Sequence, residues 1–138
     1  MIIVDTNVLS ETTRLQPSPA LVRWMRLTPR SELFTTAITE AEMRYGAAKP
    51  IESRRKRELE TLIEYIFSVT FAGRILPFDS DAAKAFAPFV VGMERDGQTY
   101  SQSDAQIIAI ARVHGAAIAT RDAGFGHSGV PLIDPWKS

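Results

Sequence analysis

Short apolar runs rich in β-branched residues alternate along this chain with longer stretches whose apolar residues recur at helical spacing. The runs are Ile2-Ile3-Val4, Leu33-Phe34-Thr35-Thr36, Ile75-Leu76-Pro77-Phe78, Ala117-Ile118-Ala119-Thr120 and Val130-Pro131-Leu132-Ile133. The segments between them are long enough to be crossover helices, so the pattern predicts a parallel α/β sheet. The plainest helix is expected from about Glu52 to about Phe71, where Leu59, Leu62, Ile63, Ile66 and Phe67 follow i, i+3, i+4, i+7 and i+8 spacing. A second, from about Ser80 to Asp96, puts Ala82, Phe86, Phe89, Val90 and Met93 on one face. Pro88 removes a backbone donor inside it, which predicts a kink or a break, and Gly97 ends it. Ile107-Ile108-Ala109-Ile110-Ala111 is apolar all round and reads as a buried helix. Ser101 or Ser103 is its expected N-cap, Ser103 and Gln106 having capping-box spacing, and Gly115 suits its C-terminus.

Length and composition narrow the class. With 138 residues and 45% hydrophobic content the chain is expected to form one domain over residues 1–138, with a core that needs no staples. There is no internal repeat or low-complexity stretch. The absence of cysteine excludes disulfides, thiolate metal sites and cysteine nucleophiles, and fits a reducing compartment. The longest apolar run, Ala85 to Met93, is interrupted by Pro88 and falls well short of the roughly 18 residues of a membrane span. The start, Met1-Ile2-Ile3-Val4-Asp5, has no basic segment and does not read as a signal peptide. The expectation is a soluble, cytoplasmic chain with no membrane association. Its 16 basic and 16 acidic side chains cancel, so a polyanionic partner would have to be gripped locally.

Chemistry in an open parallel sheet gathers at the carboxyl ends of the strands. Asp5 closes the first run, and Asp122 follows the fourth in Thr120-Arg121-Asp122. Glu42 lies six residues past the second, in a helix expected to open near Thr39, and Asp104 opens the buried helix. Four carboxylates thus have a route to one edge. Taken singly, most have a structural alternative. Glu42 is three residues after Thr39, as in a capping box; Asp104 suits a first helical turn; Asp122 suits a turn before Gly124. Asp5, closing a buried strand, has no such simple account. Asp79 reads as the N-cap of the next helix.

The joint pattern carries more than its members. Carboxylates crowded together repel and stay ionised near neutral pH only with cations among them. Without Cys, and with only His114 and His127 far from metal-ligand spacing, the available ligands are oxygens, which select Mg²⁺ or Mn²⁺. Such a site suits phosphoryl chemistry, where the ion polarises a phosphate oxygen and activates water.

At this point the residues resemble a known family. Asp5-Thr6-Asn7-Val8-Leu9-Ser10-Glu11, Glu42-Met43-Arg44-Tyr45-Gly46, Ser101-Gln102-Ser103-Asp104-Ala105 and Thr120-Arg121-Asp122 are similar, in order and spacing, to the motifs of PIN-domain ribonucleases. The likeness is greatest to toxin subunits of the VapBC type, including their FitB-like branch, and runs from residue 2 to about Trp136. It implies a three-layer α/β/α PIN-like domain with a central, mostly parallel sheet. It also implies a Mg²⁺- or Mn²⁺-dependent endoribonuclease that leaves 5′-phosphate and 3′-hydroxyl ends, a homodimer, and a small VapB-like antitoxin that blocks the site. Asp5, Glu42 and Asp104 fall on the family's first three acidic positions, and Asn7 and Thr120 on polar positions that support them. The fourth acid departs from the pattern. Many relatives carry Thr-Arg-Asn, two further residues and then Asp-Phe; here the loop is shorter by one and Gly124-Phe125 stands in that place. Asp122 is therefore the candidate for the fourth carboxylate.

An RNA substrate requires basic groups to offset the acids. Arg121 is next to the cluster, and Arg44 and Arg112 lie on the helices that carry Glu42 and Asp104; each is either a phosphate contact or a solvated surface charge. The run Arg54-Arg55-Lys56-Arg57 reads as a solvated helix face, and Trp24 and Trp136 as packing residues. His114 suits a helix C-terminus. Leu21, Val22, Trp24 and Met25 are either core or part of an antitoxin surface. Two other functions compete. A haloacid-dehalogenase-like phosphatase would need an acid where Asn7 stands, and a non-catalytic domain would keep the fold as a binding module.

Overall fold

The computed structural model describes residues 1–137. Five parallel strands form the sheet: β1 (Ile2–Val4), β2 (Leu33–Thr36), β3 (Ile75–Leu76), β4 (Ala117–Ala119) and β5 (Leu132–Ile133), in the order β3-β2-β1-β4-β5. The chain runs outward from β1 through β2 to β3, then crosses back to place β4 on the other side of β1. Ile3 pairs with Phe34 on one side and Ile118 on the other, and Val4 with Ala119. The crevice at the ends of β1 and β4 is thus the topological switch point, the place where open α/β sheets bind ligands.

Alternation along β1 divides the core. Ile3 faces a cluster with Ile118, Phe89, Phe125 and the isoleucines of α6 (Gln102–His114), closed by α5 (Ser80–Arg95). Val4 faces the opposite cluster, which includes Val8 and Leu9 of α1 (Thr6–Thr12), Leu21 of α2 (Pro19–Leu27), Met43 of α3 (Ala37–Ala48) and Ile63 of α4 (Arg54–Tyr65). The result is the expected three-layer α/β/α arrangement, with every strand pair parallel.

The helices begin where short polar side chains can take up their first free N–H groups. Thr36, Ser53, Asp79 and Ser101 each accept from the backbone three residues on. One detail departs from the sequence reading, and one choice it left open is decided. Thr39 does not open α3: Thr36 caps it, and Thr39 is buried one turn inside. Ser101, rather than Ser103, caps α6, and Gly115 closes that helix in the left-handed conformation at φ 60°. Of the kink or break expected at Pro88, the break does not occur; α5 runs through it. Pro88 is on the exposed side, where the carbonyl it leaves unbonded faces solvent. The long helix expected from Glu52 to Phe71 is α4 continued by a π-helical stretch over Ile66–Thr70. Its basic run lies at the helix start, Arg54 paired with Glu58, Arg57 with Glu52, and Arg55 donating to the Thr13 carbonyl.

Candidate active site

Asp5 stands where β1 becomes α1. Its N–H continues the ladder to the Ala119 carbonyl at 3.1 Å, so the strand pairing itself sets its position. Its side chain is 2% exposed and accepts two hydrogen bonds, from the Thr6 N–H to Oδ1 at 2.7 Å and from the Thr120 hydroxyl to Oδ2 at 2.9 Å. Burial pushes its pKa up from 3.8 to about 6; the two hydrogen bonds oppose this, and the charges of Asp104 and Glu42 add to it. A buried carboxyl held by two donors, with no ion pair among the described residues, is thus kept at the crevice of the sheet.

Glu42 reaches the same place from α3. Its Oε1 accepts from the Thr6 hydroxyl at 2.7 Å, and that hydroxyl lies 3.0 Å from Thr39 Oγ1. Glu42 therefore does not cap its helix; it is turned toward α1. Asp104 lies in the first turn of α6, beside Ser101, and its pKa is raised by partial burial, with the Glu42 and Asp122 charges adding to the effect and a hydrogen bond from Ser101 opposing it.

Asp122 follows β4 and caps a 3₁₀ turn over Ala123–His127. Its N–H donates to the Thr120 hydroxyl at 3.1 Å, and its Oδ1 accepts from the Gly124 N–H at 2.8 Å. A Cβ on residue 124 would come 3.0 Å from that Oδ1. Gly124 thus leaves the space that the Asp122 carboxylate takes. Asp104 and Asp122 together line a cleft of about 450 Å³ with Tyr100, Ser101 and His127. The Tyr100 hydroxyl donates to the Gly124 carbonyl at 2.8 Å, and its ring packs between Phe89 and Phe125. This aromatic stack holds the loop against α5 and α6.

The four acids sense one another electrostatically as a chain, Asp5 with Asp104 and Glu42, and Asp104 with Glu42 and Asp122. Among the described residues, however, no three acidic or histidine side chains stand together as an assembled metal site. The donor set fits a hard divalent cation in its chemistry, being all carboxylate, mutually repelling and partly buried. Its convergence would come with the ion.

The supporting residues sort differently from expectation. Thr120 contacts Asp5 directly, whereas Asn7 is exposed and its side chain makes no hydrogen bond among the described residues. Thr6, one residue earlier, holds both Asp5 and Glu42. The motif contained it, but its bond to Glu42 spans 36 positions, and nothing local signals it. Tyr100 was missed for the same reason, since its partners lie across the cleft. Arg44 and Arg112 are engaged elsewhere. Arg44 is paired with Glu40 at 2.8 Å and Glu64 at 2.6 Å and sits over Phe67. Arg112 donates to the Ser128 carbonyl at 3.0 Å and sits over Phe89. Arg121 is stacked on the Trp136 ring, 4.2 Å from its centroid.

Comparison with known proteins bears on the family and the fold. The PIN domain profile matches residues 2–129. The chain is similar to the VapC ribonuclease Y4jK of Sinorhizobium fredii, at 35% identity over 138 residues and 99% of each chain. It is similar to the toxin FitB of Neisseria gonorrhoeae, at 36% identity over 137 residues and 99% of each. A solved structure of FitAB bound to a DNA fragment superposes with a TM-score of 0.91 at 37% identity, over 99% of this chain and 96% of that one.

Proposed function

Because the chain belongs to the PIN-domain family, we propose that it is a divalent-metal-dependent endoribonuclease, the toxin of a toxin–antitoxin pair acting on cytoplasmic RNA. The observation that carries the reading is the buried Asp5 at the switch point, held by two donors and coupled to Asp104 and Glu42. Mg²⁺ or Mn²⁺ is the ion the oxygen donors suit, with Asp5, Glu42, Asp104 and Asp122 as the residues that would hold it. When bound, the ion supplies charge to a phosphate oxygen and lowers the cost of ionising water.

The chain's own residues do the rest. The Thr6 N–H and the Thr120 hydroxyl fix the Asp5 carboxylate so that it does not rotate away from the crevice. The Thr6 hydroxyl holds Glu42 by Oε1 and leaves Oε2 without a partner among the described residues, free to orient the attacking water. Asp122 is held by its own loop through Oδ1, which leaves Oδ2 for the cleft.

The partner reading has its own support. Val22 on α2 and Leu62, Tyr65 and Val69 along α4 and its extension are exposed apolar side chains. Val22, Leu62 and Tyr65, together with Leu9, Met25 and Phe71, line an open groove of about 290 Å³, a surface for an antitoxin to cover. Among the described residues no helix is long and apolar enough to cross a membrane.

The test is cleavage of a mixed pool of structured and single-stranded RNA by the purified chain, with Mg²⁺, with Mn²⁺ and with EDTA, beside Asp5→Asn. Metal-dependent cuts that vanish in the variant are the expected result. Identical cutting by both proteins, or none by either while both remain folded, would overturn the nuclease.

A further inference from the structure

We propose that Arg121, stacked on the Trp136 indole, binds the RNA phosphate that flanks the scissile one, and that Trp136 is its positioning residue; this rests on the ribonuclease reading above. A row of acids repels a polyanion, so the substrate must find cations close by. Of the arginines expected near the acids, Arg44 has its guanidinium in two ion pairs and Arg112 has its own on a backbone carbonyl. Arg121 makes no ion pair and no hydrogen bond among the described residues, and it is exposed. Its guanidinium lies over the face of Trp136.

That contact leaves the chemistry of the group available. A cation over an aromatic ring uses the ring's negative face, whereas guanidinium N–H groups point outward in their own plane. The fork that matches two phosphate oxygens therefore stays open while the long side chain is already held in one place. The indole is itself anchored. The ring packs against the core beneath α2, and the backbone N–H of Trp136, not the indole, donates to Asp134 Oδ1 at 3.0 Å, which fixes the turn that carries it. The Thr120 N–H donates to the Ile133 carbonyl at 2.9 Å, which ties the segment carrying Arg121 to the one leading to Trp136.

Position completes the argument. Arg121 lies between Thr120, which holds Asp5, and Asp122, which lines the cleft with Asp104. Thr120 turns to Asp5 and its neighbour turns to Trp136, so the cation flanks the acids without lying among them. A group so placed meets a neighbouring phosphate and leaves the reacting one to the acids. It should govern binding more than chemistry.

The experiment compares wild type with Arg121→Gln, Arg121→Lys, Trp136→Phe and Trp136→Leu. Cleavage of a fluorescent single-stranded RNA oligonucleotide with Mn²⁺ gives KM and kcat. Anisotropy of the same oligonucleotide in EDTA, over a series of salt concentrations, gives Kd and its salt slope. Arg121→Gln is expected to raise KM and Kd about 10-fold, to leave kcat within about two-fold, and to lower the salt slope by about one. Arg121→Lys and Trp136→Leu should each weaken binding about three-fold, and Trp136→Phe less, because it keeps a ring face.

A folded Arg121→Gln protein with wild-type KM, Kd and slope, or one that loses kcat alone, would overturn the assignment and leave the nuclease intact. Normal binding by a folded Trp136→Leu protein would overturn the positioning role; if that variant does not fold, Trp136→Phe and Arg121→Gln still decide. Wild type that binds RNA through Arg121 but never cuts it would overturn the nuclease and keep the phosphate site. Failure to bind or cut RNA would overturn both.

Discussion

The acids after β1 and β4 flank one crevice, and the fold holds them in different ways. Asp5 belongs to the scaffold: strand pairing places its backbone, Thr6 and Thr120 hold both its oxygens, and it is buried. Asp122 belongs to a loop, exposed, with one oxygen turned to its own Gly124 N–H. The difference is one of cost and adaptability. A buried carboxylate gives fixed geometry but destabilises the folded protein wherever it must ionise without a cation. A loop carboxylate that satisfies itself locally costs little and must reorganise to take up a ligand. As proposed, the site would combine one costly anchor with one contributor held only by its own loop.

The sharpest way to break this comparison is to remove the anchor's charge. Asp5→Asn should lower cleavage by about 10³-fold or more, as expected when a ligand needed for transition-state charge is lost. RNA cleavage with Mn²⁺ reads it directly; a loss of only a few-fold would mean that Asp5 is not the anchor.

The same substitution should stabilise the metal-free protein at neutral pH. The folded-state pKa of Asp5, about 6, lies above its ordinary 3.8, so ionisation disfavours the folded state. Stability from this group is greatest below the unfolded value and falls as pH rises through about 6. Thermal melts in EDTA should show Asp5→Asn ahead of wild type by roughly 1–3 kcal/mol at pH 7.5, the gap closing toward pH 4. Excess Mg²⁺ should close it from the other side by stabilising wild type alone. Equal melting at both pH values would show that burial does not penalise this carboxylate.

Thr120→Val keeps the shape of the side chain but removes the donor to Asp5 and the acceptor for the Asp122 N–H. A partner that orients a ligand in this way is worth about 10–100-fold in affinity or activity. Calorimetric titration with Mn²⁺ should show the loss in affinity; an unchanged isotherm would mean that Asp5 needs no orienting partner.

Asp122→Asn should cost less, about 10-fold in Mn²⁺ affinity, because Asn can keep the Gly124 bond and loses only the charge. If both cleavage and affinity survive Asp122→Ala, the loop contributes no ligand and the site has three acids. Tyr100→Phe removes only the hydroxyl that holds the Gly124 carbonyl, a bond worth about 1 kcal/mol. Its effect on Mn²⁺ affinity should be no more than a few-fold, with Thr120→Val far ahead of it. The reverse order would make the loop the anchor and the strand the adaptable side.

Much of this was legible along the chain. The apolar runs located the strands, and the all-apolar stretch of α6 announced a buried helix with its glycine stop. Asp5, Glu42, Asp104 and Asp122 could be sent to one edge because strand ends and the helices after them are local features. What stayed open or was misplaced came from local signals with more than one solution. Thr36 and Thr39 both suit a cap, and only the packing of β2 decided that Thr36 takes the role. Pro88 signals a break unless it lies on the solvent side, which no residue near it specifies. Arg44 and Arg112 stand close to the acids in sequence, but rotation along a helix turned them to Glu64 and Ser128.

What the sequence by itself determined is the kind of groups at hand: carboxylates and no thiol, acids at strand ends, a balanced charge and a parallel α/β frame. These depend on residue types and on periods of two and 3.6, which any reader of the chain can count. The tertiary structure alone decided which groups meet. Thr6 reaches Glu42 across 36 positions, Thr120 reaches Asp5 across 115, and Arg121 comes to rest on Trp136. The physical reason is that a hydrogen bond or a stacking contact acts over a few ångströms. Strand order, which places β4 beside β1, is what brings residues from opposite ends of the chain within that range.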